Sequence, residues 1–364
     1  MATTKTIKHL FPYKWLLADG YPSANIQKND YNVFGTFICG GGSTMGYKLA
    51  GFNHWGGVEI DPPIADVYNE NHKPKYLYNL DIRDFNKLED LPNELYNLDI
   101  LDGSPPCSTF SMAGSREKAW GKEKVFREGQ KMQSLDDLVF VYCDTIIKLQ
   151  PKVFLLENVK GIIQGNAKVY SKKIVKKMTD AGYNVQVFCL NAASMGVPQK
   201  RERVFFIGHK NEFILPKLKL EFNEVAIPFG EIIINEKSEN DLTQVQYDLW
   251  KKQKPTDKTL ADVRNEANGF TDYLIDKSEV CPTITSGGKF LSKQYPRWFV
   301  KSEFCSCGTY PQDYNFKTIE PQYLIGMSVP PVMTAQIANQ IKIQWLDKIK
   351  INNKKAFISL AQLN

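Results

Sequence analysis

One stretch decides how this chain is expected to fold: Val33-Phe34-Gly35-Thr36-Phe37-Ile38-Cys39-Gly40-Gly41-Gly42-Ser43-Thr44-Met45-Gly46. The run Val33 to Cys39 has the apolar and β-branched composition of a buried strand, and Thr44 to Ala50 predicts a helix that Gly51 ends. Glycines between a strand and a helix let the backbone approach a ligand closely at the carboxyl end of a parallel sheet. The stretch therefore predicts the strand, turn and helix that open an α/β domain.

Strands and helices are predicted to alternate from this turn to His209. The further predicted strands run over 55–61, 98–101, 152–157, 185–190 and 203–207. The predicted helices run over 62–71, 135–149 and 169–181, and the first of them begins with two prolines. Such alternation is typical of βαβ units, so we expect a mostly parallel sheet with helices on both faces.

The alternation stops after His209. Residues 210 to about 295 are rich in Lys, Glu, Asn and Asp with irregular apolar spacing, which indicates a second, smaller domain. Ile337, Ile341, Trp345 and Ile349 then predict an amphipathic helix that is expected to pack on the first domain's sheet. The small domain is therefore an expected insertion. The expected boundaries are 34–209 with 320–364 for the main domain, 210–319 for the insertion and 1–33 for an N-terminal extension.

The composition is that of an ordinary globular chain, with 364 residues, 43% hydrophobic and 24% charged. This balance excludes disorder and collagen-like repetition. The formal charge of +6 permits a polyanionic partner without requiring one. The seven cysteines include no CxxC pair, which argues against a disulfide scaffold or a four-ligand zinc site and favours a reducing, intracellular compartment. A secretory signal is not expected, because Lys5, Lys8 and Lys14 interrupt every apolar run at the start of the chain. A membrane span is not expected, because no apolar run reaches about 18 residues.

The glycine turn does not match the common nucleotide motifs. A dinucleotide fingerprint beginning at Gly40 requires glycine in the place of Met45, and no Lys-Ser or Lys-Thr follows to form a phosphate-binding loop. A nucleotide-like ligand without a pyrophosphate fits better, since Glu59 can accept bonds from ribose hydroxyls and Asp81 can accept one from an adenine amino group. A tight turn beside two solvated carboxylates is the alternative that these residues leave open.

A cysteine follows the predicted strand 98–101 in the run Asp102-Gly103-Ser104-Pro105-Pro106-Cys107-Ser108. The two prolines stiffen the loop and hold Cys107 at the carboxyl end of the strand, where ligands of α/β folds bind. The thiol becomes a nucleophile only after its proton is removed. An isolated cysteine is more often a buried structural thiol, and the Pro-Pro frame reverses that preference here.

Two further segments bring charged groups to the same sheet edge. Glu157 ends an apolar strand, where burial is expected to raise its pKa so that it holds or donates a proton. Just before the last predicted strand, the alternate residues Gln199, Arg201 and Arg203 share one side if the segment is extended. One of the two arginines can then reach the expected ligand site at this edge of the sheet. A helix cap or ion pair for Glu157, and a solvated charge run for the second segment, are the alternatives.

Taken together, in this order and spacing, these segments resemble the DNA (cytosine-5) methyltransferase family from about Phe34 to Ile341. Each motif alone is unspecific, but the family order makes the set specific. The matching segments are the glycine turn with Gly46-Tyr47-Lys48-Leu49-Ala50-Gly51-Phe52, Val58-Glu59-Ile60-Asp61, Asp81-Ile82, Pro105-Pro106-Cys107-Ser108, Glu157-Asn158-Val159, Gln199-Lys200-Arg201-Glu202-Arg203 and Gly326-Met327-Ser328-Val329-Pro330-Pro331.

The resemblance implies a class I methyltransferase fold, which is a Rossmann-like catalytic domain with a smaller inserted target-recognition domain. It implies that Cys107 attacks C6 of a cytosine flipped out of the duplex, because stacking covers that face of the ring. Glu157 would hold N3 and the exocyclic amine, Arg203 would contact O2, and Arg201 is assigned to the same catalytic group. The methyl group for C5 would come from S-adenosylmethionine, and no metal is expected.

The resemblance also assigns binding residues. Those expected at the cofactor are Phe37, Cys39, Gly40, Gly41, Gly42, Glu59, Ile60, Asp81, Ile82, Ser104, Pro105, Ser328 and Val329. Those expected at DNA are Ser108, Arg116, Lys118, Gln199, Thr285 and Gly287. Residues 111–131 carry six basic and three acidic side chains, a net +3, and are expected to close on phosphates. The expected partner is double-stranded DNA, bound by a monomer in the cytoplasm of a prokaryote or phage host, in a restriction-modification system or as an orphan methylase.

The chain departs from the family pattern at three places. Cys39 stands where the family has glycine, and Met327 stands where it has asparagine. A family motif aligned with residues 297–303 keeps only Arg297 and Glu303. These departures concern the cofactor turn and the packing of the small domain, so they leave the catalytic assignment intact.

Three alternatives remain at this point. A transfer-RNA methyltransferase of the same family uses the same chemistry. A nicotinamide-dependent dehydrogenase shares the glycine turn and Glu59, although the missing GxGxxG argues against it. A catalytically silent DNA-binding relative is the third, although Cys107, Glu157 and Arg203 are all present.

Overall fold

The computed structural model describes residues 9–21, 26–106, 137–236, 242–265 and 272–352. The chain divides into two compact units. The sheet unit comprises Ile26–Leu190, Glu202–Glu221 and Ala335–Asn364, and the second unit comprises Met1–Asn25, Asn191–Arg201 and Phe222–Thr334. Within the described ranges, no helix is long and apolar enough to cross a membrane, and no group of three His, Cys, Asp or Glu side chains is placed to hold a metal ion. The domain boundaries expected from the sequence stay a prediction.

A seven-stranded sheet forms the sheet unit. Its strands are β1 (Asn32–Thr36), β2 (Asn53–Val58), β3 (Tyr76–Tyr78), β4 (Ile100–Gly103), β5 (Val153–Val159), β6 (Tyr183–Asn191) and β7 (Glu202–Lys210). They lie in the order β3-β2-β1-β4-β5-β7-β6, in which β3, β2, β1, β4 and β5 are parallel and β7 is antiparallel to β5. The predicted α/β class and mostly parallel sheet are confirmed.

Helices connect these strands and also occur in the second unit. The described helices are α1 (Gly42–Leu49), α2 (Pro62–His72), α3 (Ile82–Phe85), α4 (Leu138–Leu149), α5 (Lys168–Asp180), α6 (Gln244–Lys252), α7 (Leu260–Arg264), α8 (Lys301–Gly308), α9 (Pro321–Met327) and α10 (Pro331–Ile341). A π-helical turn, Lys342–Leu346, extends α10, and β8 (Asp272–Ile275) pairs with β9 (Lys289–Ser292) in the second unit. Strand β1 ends before the predicted Cys39, because Phe37 and Cys39 take positive φ angles of 54° and 46°.

The centre of the sheet is buried on both faces. Val153 to Leu156 of β5 are at most 2% exposed, as expected for an inner strand of a parallel sheet. The Tyr142 hydroxyl of α4 shares its one proton in hydrogen bonds with the carbonyl oxygens of Leu101 and Leu155, at 2.9 and 2.8 Å. These bonds fix α4 on one face of the sheet and leave the carboxyl ends of the strands for other contacts.

The apolar stripe predicted near the carboxyl terminus packs on the sheet, as expected. Ile337, Ile341 and Trp345 are 0% exposed. The Trp345 ring lies 4.7 Å from the ring of His209 in β7, and its indole N–H donates to the carbonyl of Pro216 at 2.8 Å. The four-residue repeat therefore predicted both the helix and the surface that buries it.

A buried ion pair holds part of the second unit together. Arg297 donates to both carboxylate oxygens of Glu303, at 2.8 and 2.9 Å, and Glu303 is 0% exposed. Glu303 also accepts the backbone N–H groups of Val300, at the start of α8, and of Ile234. Arg297 and Glu303 are the two residues that the chain keeps from the divergent family motif, so the divergence leaves this pair intact.

Candidate functional site

The turn after β1 contains three residues in the left-handed region. The φ angles are 54° at Phe37, 46° at Cys39 and 74° at Gly41. Glycine adopts such angles without strain, whereas a residue with a Cβ atom loses about 1–2 kcal/mol there. Cys39 therefore takes the conformation that favours glycine, which explains why the resembled family has glycine at this position.

Gly41 packs against a buried histidine that the sequence did not single out. A Cβ atom on Gly41 would lie 2.1 Å from Nε2 of His72, at the end of α2. Nε2 of His72 also lies 3.4 Å from the carbonyl oxygen of Gly40. Burial lowers the pKa of His72 to about 3, so its ring is neutral at pH 7. No local motif marks this residue, because its role arises from a contact between distant segments.

Glu59 follows β2 and reaches the glycine turn. Its Oε2 accepts the backbone N–H of Cys39 and its Oε1 accepts that of Asp61, each at 2.9 Å. The residue is 8% exposed, and burial raises the pKa of its carboxyl group to about 7 although both N–H groups act in the opposite direction. Ile60, the next residue, is partly exposed.

Strand β4 leads to the same turn. Oγ of Ser104 donates to the carbonyl oxygen of Phe37 at 3.3 Å, and Pro105 is buried. Phe37, Cys39, Glu59 and Ser104 therefore meet beyond the carboxyl ends of β1, β2 and β4. Ligands of parallel α/β sheets bind at this edge.

Asp81 already has partners within its own segment. Its Oδ1 accepts the backbone N–H of Arg83 at 2.8 Å and caps α3, and its carboxylate pairs with the Arg83 guanidinium at 3.1 Å. Ile82, the other residue predicted here, is 4% exposed. The contact between Asp81 and an adenine amino group stays a prediction.

Strands β5 and β7 bring two of the predicted catalytic residues together. Nε of Arg203 lies 2.9 Å from Oε1 of Glu157, and the two side chains are 15% and 12% exposed. In the antiparallel register, Val159 is opposite Arg203 and Phe205 is opposite Glu157, so both charged side chains point to one face of the sheet. An arginine fixed beside a carboxylate offers donors and an acceptor to a planar polar ligand.

Four predicted residues, Cys107, Ser108, Arg116 and Lys118, lie outside the described residues. The described chain continues past the end of β4 to Pro106, directly before Cys107. The roles of these four residues therefore stay predictions.

Gln199 and Arg201 are buried in the second unit and bind backbone groups there. The Gln199 amide donates to the carbonyl of Cys307 and accepts the N–H of Ile284, each at 3.0 Å. Arg201 donates to the carbonyls of Ile284 and Gly326, each at 2.9 Å. Their exposures are 1% and 2%. The DNA contact predicted for Gln199 and the catalytic role predicted for Arg201 stay predictions.

The remaining predicted residues also belong to the second unit. Oγ1 of Thr285 accepts the N–H of Gly288 at 3.0 Å, and a Cβ atom on Gly287 would meet nothing within 4 Å. Ser328 and Val329 are 5% and 4% exposed. Gly287 thus lies at an open position of its loop. The DNA contacts predicted for Thr285 and Gly287 and the cofactor contacts predicted for Ser328 and Val329 stay predictions.

The comparisons with known proteins agree on one family. The protein-family model described as C-5 cytosine-specific DNA methylase matches residues 31–343 of this chain. Type II methyltransferase M1.HphI of Haemophilus parahaemolyticus is 29% identical, over 84% of this chain and 85% of its own length. Type II methyltransferase M.FnuDI of Fusobacterium nucleatum is 33% identical, over 76% of this chain and 72% of its own. The solved structure of a DNMT2 triple mutant from Spodoptera frugiperda shares the fold, with a TM-score of 0.62 and 18% identity over 86% of this chain and 99% of its own.

Proposed function

Because this chain belongs to the C-5 cytosine-specific DNA methylase family and is a DNA cytosine-5 methyltransferase, we propose that it methylates a flipped-out cytosine within a specific sequence of double-stranded DNA. The observation that carries the proposal is the Glu157–Arg203 pair, at 2.9 Å. Glu157 lies on β5, which neighbours the strand β4 that leads to Cys107, and Arg203 lies on β7, the next strand beyond β5. The relatives are Type II methyltransferases, which supports a role in restriction-modification. The alternative setting is that of an orphan methylase, which acts in a prokaryotic cytoplasm without a partner nuclease.

The cofactor proposed is S-adenosylmethionine, which membership of a methyltransferase family implies. The residues at the turn fit such a ligand. Gly40 to Gly42 present no side chains, the Glu59 carboxylate can accept bonds from hydroxyl groups, and Phe37 and Ile60 add partly exposed apolar surface. When bound, S-adenosylmethionine supplies the methyl group that C5 of cytosine receives.

The proposed mechanism gives each charged residue a separate task. The thiolate of Cys107 adds to C6 of the flipped cytosine, and the electron pair of the C5–C6 double bond makes C5 nucleophilic. Glu157 holds the proton at N3 and accepts a bond from the exocyclic amine. Arg203, oriented by Glu157, donates to O2. Once C5 carries the methyl group, its proton passes to water, the C5–H electron pair reforms the C5–C6 double bond, and the C6–S bond breaks to release Cys107 as a thiolate.

Trapping on DNA that carries 5-fluorocytosine at the target tests the nucleophile. Fluorine at C5 cannot leave as a proton does, so the covalent adduct persists. We expect a denaturation-resistant complex from the wild-type protein with S-adenosylmethionine, and none from Cys107→Ser. The control is Cys189→Ser, which removes an exposed thiol and should trap like the wild type. Methylation by Cys107→Ser at the wild-type rate would contradict the assignment.

Bisulfite sequencing tests the substrate. DNA from cells that express the wild-type protein should contain 5-methylcytosine in one recurring sequence context, and DNA from cells that express Cys107→Ser should not. The same assay on transfer RNA distinguishes the related activity. Methylation of transfer RNA without methylation of duplex DNA would overturn the proposed substrate and leave the proposed chemistry in place.

A further inference from the structure

Asp102 is a buried carboxyl group for which the proposed mechanism has no use. It lies on β4, is 5% exposed, and is aligned with Gly35 of β1 and Leu155 of β5. Its Oδ1 accepts a hydrogen bond from the hydroxyl of Tyr47 at 3.3 Å, and the Ser43 side chain also bonds to its carboxyl group. A buried carboxyl group without such partners would be strongly destabilising.

Both partners lie on α1, which begins directly at the glycine turn. Ser43 follows Gly42, the first residue of α1, and Tyr47 lies one helical turn further along. The two hydroxyls therefore join α1 to β4 through one side chain. Beyond Asp102, β4 ends at Gly103 and continues to Ser104, whose hydroxyl bonds to the carbonyl of Phe37. Asp102 thus lies where the cofactor turn and the strand before Cys107 meet.

Asp102 also shares a sheet face with the predicted catalytic pair. Leu155 is opposite Asp102, and Glu157 is the next residue of β5 on the same face. Across β5, Arg203 of β7 points to that face as well and pairs with Glu157. One face of β4, β5 and β7 therefore carries a row of three ionisable side chains: Asp102, Glu157 and Arg203.

We propose that Asp102 is a positioning residue, which fixes the cofactor-binding turn against β4, the strand that precedes Cys107, by accepting hydrogen bonds from Ser43 and Tyr47. The inference rests on the proposed function, because it assumes that this turn binds S-adenosylmethionine. The role needs an acceptor oxygen rather than a negative charge, since both partners are hydroxyl donors. Burial raises the pKa of Asp102 to about 7, although the hydrogen bonds from Ser43 and Tyr47 act in the opposite direction.

The test compares variants at Asp102 by cofactor binding and by kinetics. Asp102→Leu replaces the acceptor with an apolar side chain, so we expect the KM for S-adenosylmethionine to rise about tenfold or more while kcat changes less than about threefold. Asp102→Asn keeps an acceptor oxygen and should stay within about threefold of the wild type in both constants. Calorimetric binding of S-adenosylhomocysteine without DNA should follow the same order.

Tyr47→Phe and Ser43→Ala keep the proposal testable if Asp102→Leu does not fold. Each removes one donor with little change of volume, and each should weaken S-adenosylhomocysteine binding about two- to tenfold. The proposal is overturned if Asp102→Leu or both donor variants bind like the wild type, or if Asp102→Asn is as weak as Asp102→Leu. A wild-type protein that binds S-adenosylhomocysteine but methylates no DNA would instead overturn the proposed function.

Discussion

Two opposing influences act on the carboxyl group of Glu59. The backbone N–H groups of Cys39 and Asp61 favour its charged form, whereas burial favours its neutral form. Burial has the larger effect and raises the pKa from 4.5 to about 7. Because the folded state binds the proton more tightly than the unfolded state does, the contribution of Glu59 to stability is lost as the pH rises from about 4.5 through about 7.

Replacing Glu59 by glutamine should remove this pH dependence. Between about pH 5.5 and about pH 8, we expect the free energy of unfolding of the wild type to fall by about 2 kcal/mol relative to that of Glu59→Gln. Urea unfolding at both pH values measures this difference in the free energy of unfolding. The raised pKa of Asp102 adds the same pH dependence to both proteins, so its effect cancels in the comparison. Glu221→Gln, which changes an exposed carboxyl group of the same unit, is the control and should show no such trend. A constant difference between wild type and Glu59→Gln would contradict the expectation.

At the scale of elements, the turn between β1 and α1 contains a glycine, Gly41, whose backbone angle and packing both disfavour a side chain. The sequence predicts a glycine-rich turn, but three consecutive glycines do not show which of them is essential. In the structure, Gly41 combines a φ angle of 74° with a close approach to His72. The approach is set by the end of α2, a separate element.

Substituting alanine separates the effect of the backbone angle from that of the close approach. Gly20 has a φ angle of 77° with nothing within 4 Å of a Cβ atom, whereas Gly41 has a similar angle and His72 at 2.1 Å. Gly20→Ala should lose about 1–2 kcal/mol of stability from the angle alone. Gly41→Ala should lose about 1–3 kcal/mol more, because the histidine must move. Denaturant unfolding of both variants gives the comparison, and equal losses would show that His72 yields without cost.

At the scale of the whole molecule, the charge of +6 is the feature that bears on a polyanionic partner. The sequence places a net +3 in residues 111–131, directly after Cys107. We expect phosphate contacts from this segment, so DNA binding should weaken steeply with salt. Basic residues also cluster on α5. Two of them, Lys172 and Lys173, carry the same total charge as Arg116 and Lys118 and therefore serve as the control pair.

Removing two charges in each place distinguishes a local contact from a general attraction. The double variant Arg116→Gln with Lys118→Gln should reduce the slope of log affinity against log salt by about 2. The matched double variant Lys172→Gln with Lys173→Gln should leave the slope nearly unchanged. Fluorescence anisotropy of a labelled duplex at several salt concentrations measures both slopes. Equal reductions would mean that total charge, and not the segment after Cys107, governs binding.

Several features of the fold and the site were predictable because they depend on local pattern. The alternation of strands and helices predicted the sheet. The spacing of Ile337, Ile341 and Trp345 predicted the buried C-terminal helix. The position of Glu59 after a strand predicted that it lies at the glycine turn. The family model then decided for a DNA methyltransferase over a nicotinamide-dependent dehydrogenase.

The sequence by itself thus determined the class of fold, the order of its elements and the edge of the sheet at which polar groups collect, because backbone periodicity and strand ends are local properties. Only the tertiary structure decided which groups are partners: Glu157 with Arg203, Gly41 with His72, and Asp102 with Tyr47. It also showed Gln199 and Arg201 binding backbone within the second unit. The physical reason is that a side chain's partner, burial and pKa depend on segments that are distant in sequence and adjacent only after packing.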